Sequence, residues 1–157
     1  MSVSGAALRF STETVSPLEG VSPRTWRQFV AALAVQAMGE VSRGGGLGVY
    51  NTRPRRLVEI GRAVNFRRTN GKQLCDFVLP WTQKRFLSDP VAQYAVLVKS
   101  MRLYYDALRS GGIKRPADMT ISGALAVLHS GGRGAMEGWP ELFDGTKALY
   151  EATKGLF

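Results

Sequence analysis

The sequence holds one cysteine and one histidine, Cys75 and His129. A single thiol excludes an internal disulfide, and one Cys with one His cannot assemble a structural zinc site. No metal or other cofactor is therefore expected. No window approaches 18 uninterrupted apolar residues, so no membrane span is expected either. The first twenty residues have neither a basic start nor an apolar core region and do not read as a secretion signal. Internal repeats and low-complexity tracts are absent, which excludes solenoids and repeat arrays.

Acidic residues are few. Against 12 Asp and Glu stand 21 Lys and Arg, a formal net charge of +9. Arg53, Arg55, Arg56, Arg62, Arg67, Arg68 and Lys72 form one basic cluster, and Lys84, Arg85, Lys99, Arg102, Arg109, Lys114 and Arg115 continue it. Such a surface concentrates polyanions by an attraction that salt weakens. Bacterial walls, which carry peptide carboxylates and often phosphate polymers, fit that charge, and so does nucleic acid. A specific nucleic-acid partner is not expected. The arginines do not lie along one recognition helix, zinc ligands are lacking, and no aromatic-basic platform motif is evident.

What is present is enough core for one domain: 157 residues, 45% of them hydrophobic and 10% aromatic. Residues 1–21 read as a flexible N-terminal arm and 22–157 as the domain. Ser22-Pro23 supplies a cap and a first-turn proline for a helix to about Val41. Thr52 and Pro54 open a short helix that Gly61 closes. Ala63 to Leu79 has room for a hairpin turning at Asn70-Gly71. Asp89-Pro90 starts a long helix with an apolar stripe of Val91, Ala95, Val98, Met101, Tyr105 and Leu108, ending at Gly111-Gly112. Ile121, Leu125 and Leu128 mark a buried helix of small residues, and Asp144 caps a last one running to Gly155. The expected class is mainly α with at most a small β-hairpin.

The stretch Glu40 to Asn51 is the richest in chemistry. Trp26, Phe29, Val30, Leu33 and Ala37 recur at helical spacing, so their helix packs one face inward and carries Glu40 toward the core. Desolvation there raises a carboxyl pKa and lets it hold a proton near neutral pH. Gly44, Gly45 and Gly46 then form a permissive bend, at least one of them with positive φ, that turns Tyr50 and Asn51 back over the acid. The same residues also read as a solvated last turn followed by a glycine stop. His129, before Ser130-Gly131-Gly132, is either a cleft-lining hydrogen-bond partner or a helix C-terminal residue favoured by the dipole. Cys75, among Leu74, Phe77 and Leu79, reads as a buried thiol rather than a nucleophile with His129 as base, because no third orienting residue suggests itself.

Three blocks, in order, resemble one family. The first is Glu40, Ser42, Gly45 and Leu47-Gly48-Val49-Tyr50-Asn51, followed by Leu57-Val58-Glu59-Ile60-Gly61. The second is Trp81 with Phe86-Leu87-Ser88-Asp89-Pro90-Val91-Ala92-Gln93. The third is Gly123-Ala124-Leu125-Ala126-Val127-Leu128-His129-Ser130-Gly131-Gly132-Arg133-Gly134. Over about residues 24 to 138 the chain is similar to the lysozyme-like peptidoglycan hydrolases related to soluble lytic transglycosylases and found in phage tails and virions. The resemblance implies a lysozyme-like α+β fold and cleavage of the β-1,4 bond between N-acetylmuramic acid and N-acetylglucosamine. It implies Glu40 as the catalytic acid, Ser42, Tyr50 and Asn51 as substrate-binding residues, and His129 lining the opposite wall. Bacterial peptidoglycan is the implied partner, with other virion or tail proteins docking through the arm, and the virion, phage tail or cell envelope is the implied location.

Asn51 stands where the family has Gln, Val41 intrudes between Glu40 and Ser42, and Arg43 puts a cation beside the acid, where it would lower the pKa. A lysozyme-like fold kept as a structural part of a tail or baseplate tolerates all three, and that is the rival reading. Two-acid glycosidases need a second carboxylate, for which Glu59 and Asp76 are the nearby candidates. The transglycosylase resemblance removes that need, because there one Glu acts first as acid and then as base.

Overall fold

In the computed structural model residues 15–39 and 46–157 are described. The architecture is mainly α with one two-stranded antiparallel sheet. The elements run α1 (Pro23–Gly39), α2 (Pro54–Glu59), β1 (Ala63–Thr69), β2 (Lys72–Phe77), α3 (Gln83–Leu87), α4 (Pro90–Ser110), α5 (Ile121–Glu137) and α6 (Asp144–Thr153).

Most helix starts follow from local chemistry. Ser22 Oγ accepts from the Thr25 amide at 3.1 Å, Asp89 from Ala92 at 3.0 Å, Thr82 from Arg85 at 3.1 Å and Thr120 from Gly123 at 3.2 Å. Each bond satisfies one of the amides that a first turn leaves free, and Pro23 and Pro90 have no amide to satisfy. Two expected caps differ. Thr52 instead exchanges two backbone bonds with Leu47, and Arg53 precedes α2 with no side-chain cap. Asp144 is the first residue of α6, after Phe143, where its charge still suits the positive helix end. The hairpin turns at Asn70 (φ 52) and Gly71 (φ 77), the two left-handed residues that a type I′ turn requires.

Among the described residues two apolar clusters form. The larger joins Trp26, Phe29 and Leu33 of α1 to Leu97 and Met101 of α4, Ala124 to Leu128 of α5, and Leu149 and Tyr150 of α6. The run from Ser122 to His129 is buried throughout, which places α5 at the centre of the fold. A smaller cluster of Leu57, Ile60, Ala63, Phe86 and Val96 sits under the hairpin. Helix α4 is the wall between them, giving Val96 to one and Leu97 to the other. Burying a Phe29 or a Leu97 contributes roughly 1.5–3 kcal/mol each before the entropy of ordering is subtracted.

That double duty rotates the expected stripe of α4. Met101 and Tyr105 are buried, but Val91 is 57% exposed and Ala95 faces solvent. Gln93 and Ser100 go inward instead because their polar atoms are bonded there, Ser100 Oγ donating to the Leu97 carbonyl at 3.1 Å.

The segment 17–21, assigned to a flexible arm on sequence, packs along α4. Leu18 and Val21 belong to the main core, Arg102 Nε donates to the Pro17 carbonyl at 3.2 Å, and the Tyr105 hydroxyl donates to the Glu19 carbonyl at 2.5 Å. Residues 1–14 lie outside the described residues. Among those described, no helix is long and apolar enough to cross a membrane.

Candidate active site

The residues Leu47 to Thr52 make a closed turn. Leu47 and Thr52 exchange two backbone bonds of 2.9 Å, and the Asn51 amide donates to the Gly48 carbonyl at 3.1 Å. Gly48 (φ 74) and Asn51 (φ 51) both take left-handed backbone. Glycine is required at 48 for a second reason, since a Cβ there would run into the Gln93 side chain.

Gln93 fixes this turn in space. Its Oε1 accepts from the Val49 amide at 2.7 Å, while its Nε2 donates to the carbonyls of Phe86 at 2.9 Å and Leu87 at 3.2 Å. One buried amide thus ties the turn to the end of α3, with both of its polar ends satisfied.

From the opposite side, His129 Nε2 bonds the Tyr50 carbonyl at 2.6 Å. The carbonyl only accepts, so Nε2 carries the proton and Nδ1 is the free lone pair. Nδ1 is buried with no hydrogen-bond partner among the described residues. Burial holds the imidazole neutral: desolvation first, helped by the Arg56 and Arg53 charges, brings its pKa down to about 4 against the opposing Tyr50 bond. A cation at a helix end is therefore not what His129 supplies. Its role is to pin the Tyr50–Asn51 turn onto α5.

These contacts build a small cleft lined by Leu33, Gln36 and Ala37 of α1, Tyr50 and Asn51 of the turn, and His129 and Ser130 of α5, with Leu149 at its back. Its volume is about 10 Å³, room for about one water. Three of the sequence-predicted site residues, Tyr50, Asn51 and His129, meet here. Glu40 and Ser42 lie outside the described residues, as do Gly44 and Gly45; α1 ends at Gly39, two residues after the lining Ala37. Tyr50 contributes differently from its expected role. Its ring is buried, burial raises its hydroxyl pKa above the usual range, and its carbonyl does the positioning. Gly46 does not take positive φ. It is needed because the Asn51 side chain lies where a Cβ would be, and among the described residues of this stretch the left-handed glycine is Gly48.

Beside the cleft a polar junction is centred on the buried Arg56. Arg56, 2% exposed, donates from Nε to the Leu128 carbonyl at 3.1 Å and from Nη1 to Glu59 at 3.1 Å. The other Glu59 oxygen accepts from the Tyr104 hydroxyl at 2.7 Å. The guanidinium also lies 5.5 Å from the Tyr104 ring centre and fills the space beside Gly132, whose φ of 70 and ψ of −165 break α5. So α5 does not end at His129, before Ser130-Gly131-Gly132, as expected; it kinks at Gly132 and runs on to Glu137.

Both candidate second acids are committed elsewhere. Glu59 is held by Arg56, Arg55 and Tyr104. Asp76, on the exposed hairpin, is bonded by Asn65 at 3.0 Å and Arg67 at 3.1 Å, which holds its pKa below the usual carboxylate range. Cys75, half-buried on β2, packs against the smaller cluster with a thiol pKa raised first by burial, opposite to what a nucleophile needs. Among the basic residues Arg56 is a core group, whereas Arg55 and Arg68 lie over Phe66 at 5.2 and 5.8 Å and Arg85 over Trp81 at 4.4 Å.

Sequence reading missed Gln93, Arg56 and Gly132 as parts of this site. The signals were there: Gln93 closed the second block, Gly132 lay near the end of the third, and Arg56 was submerged in a run of surface arginines. No family model matches this chain, and no curated protein or solved structure is significantly similar to it.

Proposed function

We infer that the chain is a lysozyme-like glycosidase or lytic transglycosylase acting on the β-1,4 bond between N-acetylmuramic acid and N-acetylglucosamine of peptidoglycan, associated with a virion or phage tail. The observation that carries the reading is the His129–Tyr50 bond. It links two of the three sequence blocks across 79 residues and gathers Tyr50, Asn51 and His129 into one cleft at the end of α1. A helical lobe and a hairpin lobe on either side of that region suit a lysozyme-like α+β fold.

In this reading Glu40 donates its proton to the glycosidic oxygen as the bond to the anomeric carbon breaks. The resulting carboxylate then takes the proton of the attacking hydroxyl, either the muramic C6 hydroxyl closing to an anhydro sugar or a water. The engagement of Glu59 and Asp76 favours this single-acid route over a two-carboxylate one. Asn51 and Ser42 orient the sugar, and the basic hairpin lobe draws the protein to the anionic wall. Lysis of stripped peptidoglycan, followed by turbidity, tests the assignment: Glu40→Gln is expected to abolish it while leaving Tm within a few degrees, since the change removes a proton donor and nearly keeps volume. A wild type without lysis would favour the structural virion role, and an active Glu40→Gln would move the acid elsewhere. Products lighter by one water would identify the anhydro route.

A further inference from the structure

A second cavity, sharing no lining residue with the cleft, opens on the hairpin side of α4. Its walls are Phe77, Trp81 and Phe86 with Ala92, Ala95 and Val96, and Arg62 joins them. The Phe77 and Phe86 rings lie 5.5 Å apart, and the Arg85 guanidinium covers the Trp81 ring at 4.4 Å. The volume is about 90 Å³. That is less than the ~150 Å³ that a benzene-sized guest fills, and it suits a branched aliphatic side chain.

The cavity is apolar in shape but cationic in setting. Arg62 Nε is buried with no hydrogen-bond partner among the described residues. The backbone of Arg62 is fixed on both sides, its amide donating to the Leu57 carbonyl at 2.8 Å and its carbonyl accepting from Val78 at 3.0 Å. Residues 53–85 carry nine Lys and Arg against Glu59 and Asp76. Both of those carboxylates are already engaged, as described above. Arg62 is the cationic member of the cavity wall, and a carboxylate on a guanidinium makes the strong, charge-assisted form of hydrogen bond.

A small free carboxylate would fill the cavity and leave its surroundings bare. Val91, one turn before Ala95 on the same side of α4, is 57% exposed, and Leu79, two residues before Trp81, is 82% exposed. We propose that this cavity binds the carboxy-terminal aliphatic residue of a partner polypeptide, the side chain seated between Phe77, Phe86 and Ala95, the terminal carboxylate on Arg62, and the preceding residues lying over Val91. This does not rest on the glycosidase reading.

The test titrates the full chain with acetyl-Gly-Gly-Leu as free acid, with its C-terminal amide and with 4-methylpentanoate, following the Trp81 indole N–H by NMR. The free acid should bind saturably and about tenfold or more tighter than the amide, the margin of a charge-assisted bond. Ala95→Leu, which fills the cavity from an exposed position, should remove binding, and Arg62→Gln should bring acid and amide level. Equal binding of acid and amide, or no saturable shift with any probe, would overturn the proposal. Binding of 4-methylpentanoate as tight as the peptide's would assign the site to small carboxylates instead and overturn the polypeptide.

Discussion

His129 is a buried imidazole whose neutrality the fold requires, and that makes stability depend on pH in a defined direction. Its folded pKa of about 4 lies below the ordinary 6.5, mainly through burial. The unfolded chain therefore takes up the proton more readily. The stabilisation is complete above about pH 6.5 and is lost as pH falls toward 4, a change of up to about 3 kcal/mol from this one group. Urea denaturation at several pH values across that window should show wild type losing stability, and His129→Gln, whose amide can still donate to the Tyr50 carbonyl, losing less. Parallel losses would place the effect elsewhere. Gly132 is the other sensitive position: Gly132→Ala puts a Cβ against the Arg56 guanidinium on a left-handed backbone. A cost on the order of 2 kcal/mol, read as a lowered urea midpoint, is expected.

The turn that lines the cleft is held by single side chains, whereas α1 and α5 on its other walls are held by core packing. Gln93 on α4 makes three bonds, to the Val49 amide and to the ends of α3. Gln93→Ala strands those groups and opens a void, so a loss of about 2–3 kcal/mol is expected, with faster hydrogen exchange at the Val49 amide than at α5 amides. If exchange at Val49 rises no more than elsewhere, the turn is held by its own Leu47–Thr52 pairing. The far end of helix α5 also meets one distant side chain. Its sequence reads as ending at His129, before Ser130-Gly131-Gly132, yet it continues past a kink at Gly132, where Arg56, from α2, occupies the adjacent space and bonds the Leu128 carbonyl.

Across the whole molecule charge is divided unevenly. Of the net +9, residues 53–85 carry +7. Yet the arginines of this lobe do two jobs. Replacing the exposed Arg55, Arg67 and Arg68 with Gln should weaken binding to wall fragments at low salt and matter little at high salt, with the urea midpoint nearly unchanged. Arg56→Gln should instead destabilise the fold at either salt level, because it removes the buried guanidinium that bonds both the Leu128 carbonyl and Glu59. Cosedimentation at two salt concentrations and denaturation of both variants separate the two roles. An equal loss of wall binding at both salt levels for the triple variant would mean short-range contacts in place of field attraction.

What the sequence determined by itself is the set of local decisions: Ser22-Pro23 and Asp89-Pro90 starting helices, Asn70-Gly71 turning the hairpin, and the small-residue run from Gly123 to Leu128 going to the centre. Each depends on backbone preferences within about four residues or on periodicity, so neighbours in the chain suffice to fix it. The grouping of Tyr50, Asn51 and His129 was legible only as block order, not as contact. Tertiary structure alone decided that Gln93 reaches Val49 across 44 residues, Arg56 reaches Leu128 across 72, and His129 reaches Tyr50 across 79. A glutamine, an arginine and a histidine are each ordinary surface residues until a buried partner satisfies them. Which partner arrives depends on how the helices pack, and that information is spread over the whole chain.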